Sequence, residues 1–318
     1  MEKRFSIMKK SRMWVLIGLG LMVTSRIIFF SSARFSEEFT GGVSLGVAGQ
    51  LSEQETKSNI EAYLTQENYE DIRVSVEAES DSTILKIHTK VSNDEMVSDL
   101  SKKIQTYLLE NEMISSNDDI IQQTITGPSV GSYMQKAALR ALIVGLIFII
   151  IYMMFSFSAI RNYISPVILA FVTIATMIFD ISIPAGAYGI WMSINSTVQI
   201  DTIFIIAILT TMGYSINDTI VIFDRIRENL QNKGTGKDVS HSKVFEDSLW
   251  QTMKRSIGTS VSTLLVVLAM FIFGSGVIKA FSFAIGVGVI AGSYSSIFIA
   301  APLAYIISGK WRKTNKNH

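Results

Sequence analysis

Residues 198–222 read VQIDTIFIIAILTTMGYSINDTIVI, an apolar run that carries two carboxylates, Asp201 near its start and Asp218 towards its end. The hydrocarbon core of a bilayer is about 30 Å thick and is crossed by about 20 helical residues, so the run is long enough for a transmembrane helix. An ionisable side chain inside such a helix costs a few kcal/mol on insertion scales and marks a functional position. The stretch therefore predicts a membrane helix with a functional ionisable residue, Asp218.

Five further segments of similar character accompany this run. The chain has 48% hydrophobic and 17% charged residues, a balance typical of a membrane protein. We expect an α-helical polytopic membrane protein with six transmembrane helices, a cytoplasmic N-terminus at 1–12, a cytoplasmic loop at 223–254 and a cytoplasmic tail at 308–318. The six predicted helices span residues 13–31, 133–156, 162–183, 198–222, 255–274 and 279–307.

The basic residues predict which helix ends face the cytoplasm. Lys and Arg concentrate before the first segment, between the fourth and fifth, and after the last, whereas the connection near 184–197 has none. Because short cytoplasmic loops collect Lys and Arg, both termini are predicted to be cytoplasmic and residues 32–132 to lie outside. Arg26, inside the first segment, is expected to snorkel to the outer interface. A cleaved signal peptide ending at Ser31-Ser32-Ala33 is the alternative for this segment.

Residues 32–132 hold most of the acidic side chains and predict an extracytoplasmic α+β domain. The order strand-helix-strand-strand-helix-strand is the split βαβ arrangement of ferredoxin-like domains, which provides architecture and no chemistry of its own. We expect His88 to be an ordinary half-buried strand residue. Strands are predicted at 42–47, 72–77, 83–91 and 120–125, with helices opened by capping boxes at 52–55 and 92–95.

Helical spacing surrounds Asp218 with polar residues. Ser215 and Thr211 share its face at three and seven residues, and Asn217 belongs to the adjoining strip. The fourth segment is therefore predicted to carry a polar stripe that ends in a carboxylate.

The fifth segment offers a complementary stripe of Arg255, Thr259 and Ser262. Burial favours a protonated aspartate and a neighbouring guanidinium favours the ionised form, so a mobile arginine could switch the carboxyl between the two. We predict Asp218 and Arg255 as a proton relay.

Other chemistry is not indicated. The chain has no cysteine, and its three histidines lie outside the apolar segments, so no thiol nucleophile, metal centre or cofactor is predicted. Asp180 and Asp201 are placed near the outer ends of their helices and are expected to have interfacial or structural roles. Gly288 and Gly292 have the small-xxx-small spacing that allows close helix packing.

Several motifs resemble a known family. Residues 213–229 resemble the fourth-helix signature of the SecF branch of the SecD/SecF family. Thr40, Gly41 and Gly42 resemble the motif that opens the external domain of that family, although Glu38 stands where an aspartate is usual. Residues 127–131, 255–260 and 292–300 resemble its second-, fifth- and sixth-helix segments.

The resemblance implies a role in protein export. Such a chain pairs with SecD in a twelve-helix unit of the RND superfamily, in the cytoplasmic membrane of a bacterium. It is implied to act beside the SecYEG channel, with YajC as an additional partner, and to use the proton motive force to draw out an unfolded polypeptide that SecA has pushed. One charge crossing the field releases about 2.3 kcal/mol per 100 mV. Neither enzymatic activity, a cofactor nor a nucleic-acid partner is implied.

Three alternatives remain open at this point. A proton-driven exporter of lipids or drugs belongs to the same superfamily, and the single set of six helices speaks against it. An intramembrane hydrolase would need a nucleophile with a base, or a metal cluster, in the bilayer. A structural assembly subunit would hold Asp218 and Arg255 as a static ion pair.

Reporter fusions test the predicted topology. A fusion after residue 80 should read external, and fusions after Lys237 and Lys313 should read cytoplasmic, because the basic loops stay inside. Immunoblots should show an uncleaved N-terminus. A cytoplasmic reading at residue 80 contradicts the topology, and a product beginning near Arg34 supports the signal peptide instead.

Overall fold

The computed structural model describes residues 6–78, 81–90, 93–158, 164–195, 197–233 and 240–315. Its helices are α1 (Ser11–Ser32), α2 (Glu37–Thr40), α3 (Glu53–Gln66), α4 (Asp94–Glu110), α5 (Pro128–Ser156), α6 (Pro166–Ile194), α7 (Thr202–Lys233), α8 (His241–Phe273), α9 (Gly276–Ser295) and α10 (Ala301–Asn315). Within the described ranges, six helices are long and apolar enough to cross a membrane; the sixth combines α9 and the start of α10.

A four-stranded antiparallel sheet stands between α1 and α5 in the chain. Its strands are β1 (Gly42–Ala48), β2 (Arg73–Ala78), β3 (Ser82–His88) and β4 (Ile120–Thr126), arranged in the order β2-β3-β1-β4. Leu45 pairs with Leu85, and Val43 pairs with Ile87. These four side chains are fully buried against α3 and α4, as expected for an antiparallel sheet with one face on a core.

The helix starts in this block differ from the predicted capping boxes. Ser52 occupies the N-cap position of α3 without a side-chain bond to the helix. At α4 the cap is Asn93, whose Oδ1 accepts from the Met96 N–H at 2.9 Å, and Ser92 lies outside the described residues. A capping box that was not predicted joins Ser116 and Asp119. Several residue types fit an N-cap equally well, so local sequence alone does not choose among them.

Helix α6 continues past Pro184 to Ile194, beyond the predicted end at residue 183. A proline is tolerated inside a membrane helix when neighbouring helices satisfy the freed backbone groups. The added turns pack closely on α1, since a Cβ on Gly186 would lie 2.5 Å from Ser25 Cβ. Arg26 donates from Nε to Ser182 Oγ of α6 at 3.1 Å rather than simply reaching outward.

Helices α7 and α8 fill much of the predicted loop at 223–254. Helix α7 runs on to Lys233, and α8 already begins at His241. The extensions form an amphipathic pair, because Phe223 and Ile226 on one pack in the same buried cluster as Phe245 on the other. Residues 223–254 carry many charged side chains, so the predicted membrane segments stop short of them, although most of these residues belong to half-buried helices.

The sixth apolar helix contains a π-helical turn at Ser296–Ala300, between α9 and α10. The small residues of α9 are packed as predicted. A Cβ on Gly288 would lie 2.3 Å from Thr211 Cγ2, and one on Gly292 would lie 2.8 Å from Ser215 Cβ. Helices α7 and α9 therefore approach more closely than any larger side chain allows.

Paired glycine substitutions test the packing of α1 on α6. Gly186→Ala should destabilise the protein, because the new methyl group collides with Ser25, whereas Gly145→Ala on α5 meets nothing within 4 Å. Alanine is the better helix former by about 1 kcal/mol, so Gly145→Ala should be neutral or stabilising. Thermal unfolding of the purified protein measures both, and equal melting temperatures would contradict the packing described.

Candidate functional site

Asp218 lies on the buried face of α7, and its side chain is the centre of the site. The residue is 3% exposed, and within the described part of the chain its Oδ2 has no hydrogen-bond partner. Thr211 and Ser215 are buried on the same face, whereas Asn217 is exposed on another. The helix thus turns a stripe of hydroxyls and one carboxyl towards its neighbours, and Asn217 does not belong to it.

The face that α8 turns inward is not the predicted one. Arg255, Thr259 and Ser262 are exposed, and the two hydroxyls donate to carbonyl groups of their own helix. Ser256 and Ser260 are buried instead. Small hydroxyl residues let two helices approach closely, and an arginine does not, so packing selected the serine face.

Ser256 is the hydroxyl residue of α8 that stands beside Asp218. Its Oγ, like Asp218 Oδ2, is buried without a hydrogen-bond partner among the described residues. The Arg255 guanidinium is near enough to act on the carboxyl through its charge. The ion pairs found between described residues nevertheless include neither Asp218 nor Arg255. The carboxyl is therefore buried and sparsely bonded, with a cation close by but out of contact.

A second carboxyl, Asp180, lies in the middle of α6. The prediction that it sits near an outer helix end is wrong, because α6 continues to Ile194. Asp180 is 1% exposed, and its Oδ2 accepts from Ser215 Oγ at 2.5 Å. Sequence could have found this residue only if Pro184 had been read as part of the helix.

Acidic residues also hold the start of α7. The Glu38 carboxylate accepts from the Thr202 N–H at 2.9 Å, and Asp201 Oδ1 accepts from the Phe204 N–H at 2.7 Å. Both carboxylates act as N-caps of α7, and the positive end of the helix dipole stabilises their negative charge. Glu38, the unusual residue of its motif, therefore ties the segment before β1 to the helix that carries Asp218.

The motif at Thr40, Gly41 and Gly42 forms a close backbone crossing. Gly41 and Gly42 have φ angles of +89° and +154°, and a Cβ on Gly42 would lie 2.5 Å from the Ile87 carbonyl oxygen. Nδ1 of His88 lies 2.9 Å from the Gly41 oxygen and 3.0 Å from Thr40 Oγ1. His88 thus anchors this crossing to β3 as a structural residue.

Charged side chains fill the junction between the sheet and the helices. Burial raises the pKa of Glu37. Burial alone would lower the pKa of Lys86, but Glu37, Glu77 and Asp201 outweigh it and raise that pKa. Lys86 is thereby kept charged among acidic groups that belong to the sheet, to α2 and to the start of α7.

The family described as protein export membrane protein SecD/SecF, C-terminal, matches residues 107–310. The protein translocase subunit SecF of Synechocystis is 32% identical over 303 residues, which cover 95% of this chain and 91% of that one. The SecF subunit of Haemophilus influenzae is 30% identical over 301 residues, 92% and 82% of the two chains.

Two solved structures share the fold. SecDF from Thermus thermophilus, described as a translocon-associated membrane protein, aligns with a TM-score of 0.75 and 27% identity over 98% of this chain. SecDF in a super-membrane-facing form aligns with a TM-score of 0.67 and 25% identity over all of it. The present chain spans only about two fifths of each SecDF chain, 39% and 40%.

Cysteine pairs test the assigned face of α8, since the chain has no native cysteine. Asp218→Cys with Ser256→Cys should form a disulfide on oxidation, because the two side chains face each other across α7 and α8. Asp218→Cys with Thr259→Cys is the matched control and should not. A protease site placed in the connection at 234–239 reports the result, because joined fragments stay together after cleavage. Preferential joining through position 259 would contradict the arrangement.

Proposed function

Since the chain belongs to the SecD/SecF family of protein export membrane proteins, we propose that it serves as the SecF subunit and couples proton movement to export of polypeptide. The observation that carries the coupling is Asp218, a buried carboxyl with an unbonded oxygen inside an apolar helix. Ionisable groups at such positions are typical of proton relays in membrane transporters. The reaction is transport, and no covalent catalysis or cofactor is proposed.

In this proposal the six apolar helices cross the cytoplasmic membrane and both termini are cytoplasmic. The four-stranded domain then lies outside, because α1 crosses the membrane outward before the domain and α5 crosses it back afterwards. The sheet order β2-β3-β1-β4 with two helices supports a ferredoxin-like domain. The segment boundaries proposed are those of the six apolar helices.

SecD is proposed as the partner that covers the exposed side of the bundle. Arg255, Thr259 and Ser262 form an exposed polar stripe on α8, and an arginine facing lipid in a membrane helix is expensive. A second set of helices would bury that stripe. This chain spans about two fifths of each SecDF chain, and the remaining length of those chains is enough for a second set of helices.

The coupling path runs along α7. Its middle carries Asp218, and its first residue is held by Glu38, which precedes β1 of the external domain. A change of charge at Asp218 would alter the packing of α7 on α6, α8 and α9, and the movement would reach the domain through Glu38. A field that supplies about 2.3 kcal/mol per charge and 100 mV is large enough to bias two such positions.

The other proposed partners follow from the family. The SecYEG channel supplies the polypeptide, SecA drives it from the cytosol, and YajC accompanies the complex. A static scaffold is the rival role for Asp218 and Arg255. The lack of a contact between these residues, in the part of the chain described, supports the relay over the scaffold.

Asp218→Asn separates the two roles. The variant keeps the volume and loses the titrating proton, so export stimulated by the proton motive force should be lost while the complex with SecD assembles normally. A static ion pair predicts the reverse, because Arg255, which SecD would bury in the proposed complex, would lose its partner at a cost of about 3–5 kcal/mol and the amount of complex would fall.

Asp224→Asn is the control on the same helix, since Asp224 is exposed and pairs with Arg227 at the helix surface. Exposed pairs contribute about 0–1 kcal/mol, so this variant should export and assemble as the wild type does. Export is measured in inverted membrane vesicles at equal complex abundance. Full activity of Asp218→Asn would refute the proton-carrier role.

A further inference from the structure

Asp180 lies in a buried polar site where α6, α7 and α9 meet. The residue belongs to α6, its Oδ2 accepts from Ser215 Oγ of α7, and Ser295 of α9 lies beside the carboxyl. Oδ1 is buried and has no hydrogen-bond partner among the described residues. The Ser295 hydroxyl donates to the Gly292 carbonyl at 3.1 Å, so it does not satisfy Oδ1.

No cation among the described residues forms an ion pair with this carboxyl. Among the ionisable residues of the neighbouring helices, Arg26 of α1 bonds Ser182 on a different face of α6, Asp218 of α7 is itself acidic, and Tyr294 of α9 carries a phenol. The ion pairs between described residues do not include Asp180. A buried carboxylate with one donor and no counter-ion is costly, and such a group keeps a proton instead.

The two buried carboxyls share one helix. Ser215, which bonds Asp180, lies three residues before Asp218, so the two positions are one turn apart on the same face of α7. Gly292 on α9 leaves the space for this contact, since a Cβ there would lie 2.8 Å from Ser215 Cβ. The π-helical turn begins directly after Ser295, and such turns are frequent at functional sites.

We propose that Asp180 is a second proton-binding residue, which exchanges its proton when α7 moves and thereby joins Asp218 in the transport cycle. The inference rests on the proposed function. Uptake forms an O–H bond at Oδ1 and neutralises the carboxylate. Release breaks that bond, returns the proton to water and leaves a charge that the Ser215 hydroxyl partly stabilises. The packed arrangement seals the carboxyl, so release requires α7 to separate from α6.

Infrared spectroscopy of the complex with SecD in lipid tests this proposal directly. Protonated carboxyl groups give a separate carbonyl band, and difference spectra between acid and alkaline pH show which of them exchange. The wild-type difference spectrum should contain one component from Asp180 and another from Asp218, beside those of the other titrating carboxyl groups. Asp180→Asn should lose one component and Asp218→Asn the other, while Asp224→Asn should leave both.

Each outcome of the infrared experiment either supports or overturns the proton-binding role of Asp180. An unchanged spectrum in Asp180→Asn, or a component of Asp180 that never exchanges, overturns the proposal. If Asp180→Asn does not assemble, Ser215→Ala decides, because loss of the bond to Oδ2 should shift the band of Asp180 and an unshifted band overturns the proposal. Failure of the proposed function is distinct, since it appears as normal export by Asp218→Asn whatever the spectrum of Asp180→Asn shows.

Discussion

Close approach of α6, α7 and α9 is the constraint on which the rest of the bundle depends. Gly288 and Gly292 leave no room for a Cβ beside α7, and the contact they allow sets the rotation of that helix. The rotation turns Ser215 onto Asp180 and places Asp218 against α8. In a medium without water, such contacts decide which polar groups find a partner.

The same helix connects the membrane region to the external domain. Glu38 and Asp201 cap the start of α7, and Gln199 Nε2 donates to Ser75 Oγ of β2 at 2.9 Å. The junction therefore combines hydrogen bonds and buried charges with the apolar packing of Phe39 on the helices. A junction of that kind can hold two arrangements, because each polar contact can be exchanged for water at small net cost.

The outer faces of the bundle carry information about assembly. Helix α5 exposes large apolar residues such as Phe148, as a lipid-facing helix does. Helix α8 exposes both apolar residues and the stripe that contains Arg255. The mixed character of α8 fits a surface that is covered in the proposed complex.

Composition and periodicity determined that the chain has six apolar helices, a strand-rich block between the first two, and one carboxylate deep in the fourth. They also indicated the tight packing at Gly288 and Gly292. Tertiary structure alone decided which face of α8 turns inward, that α6 continues through Pro184, and that Asp180 is buried in the middle of α6 against α7. The reason is that hydropathy reports how apolar a helix is, whereas the rotation and extent of a helix in a bundle depend on the residues of its neighbours.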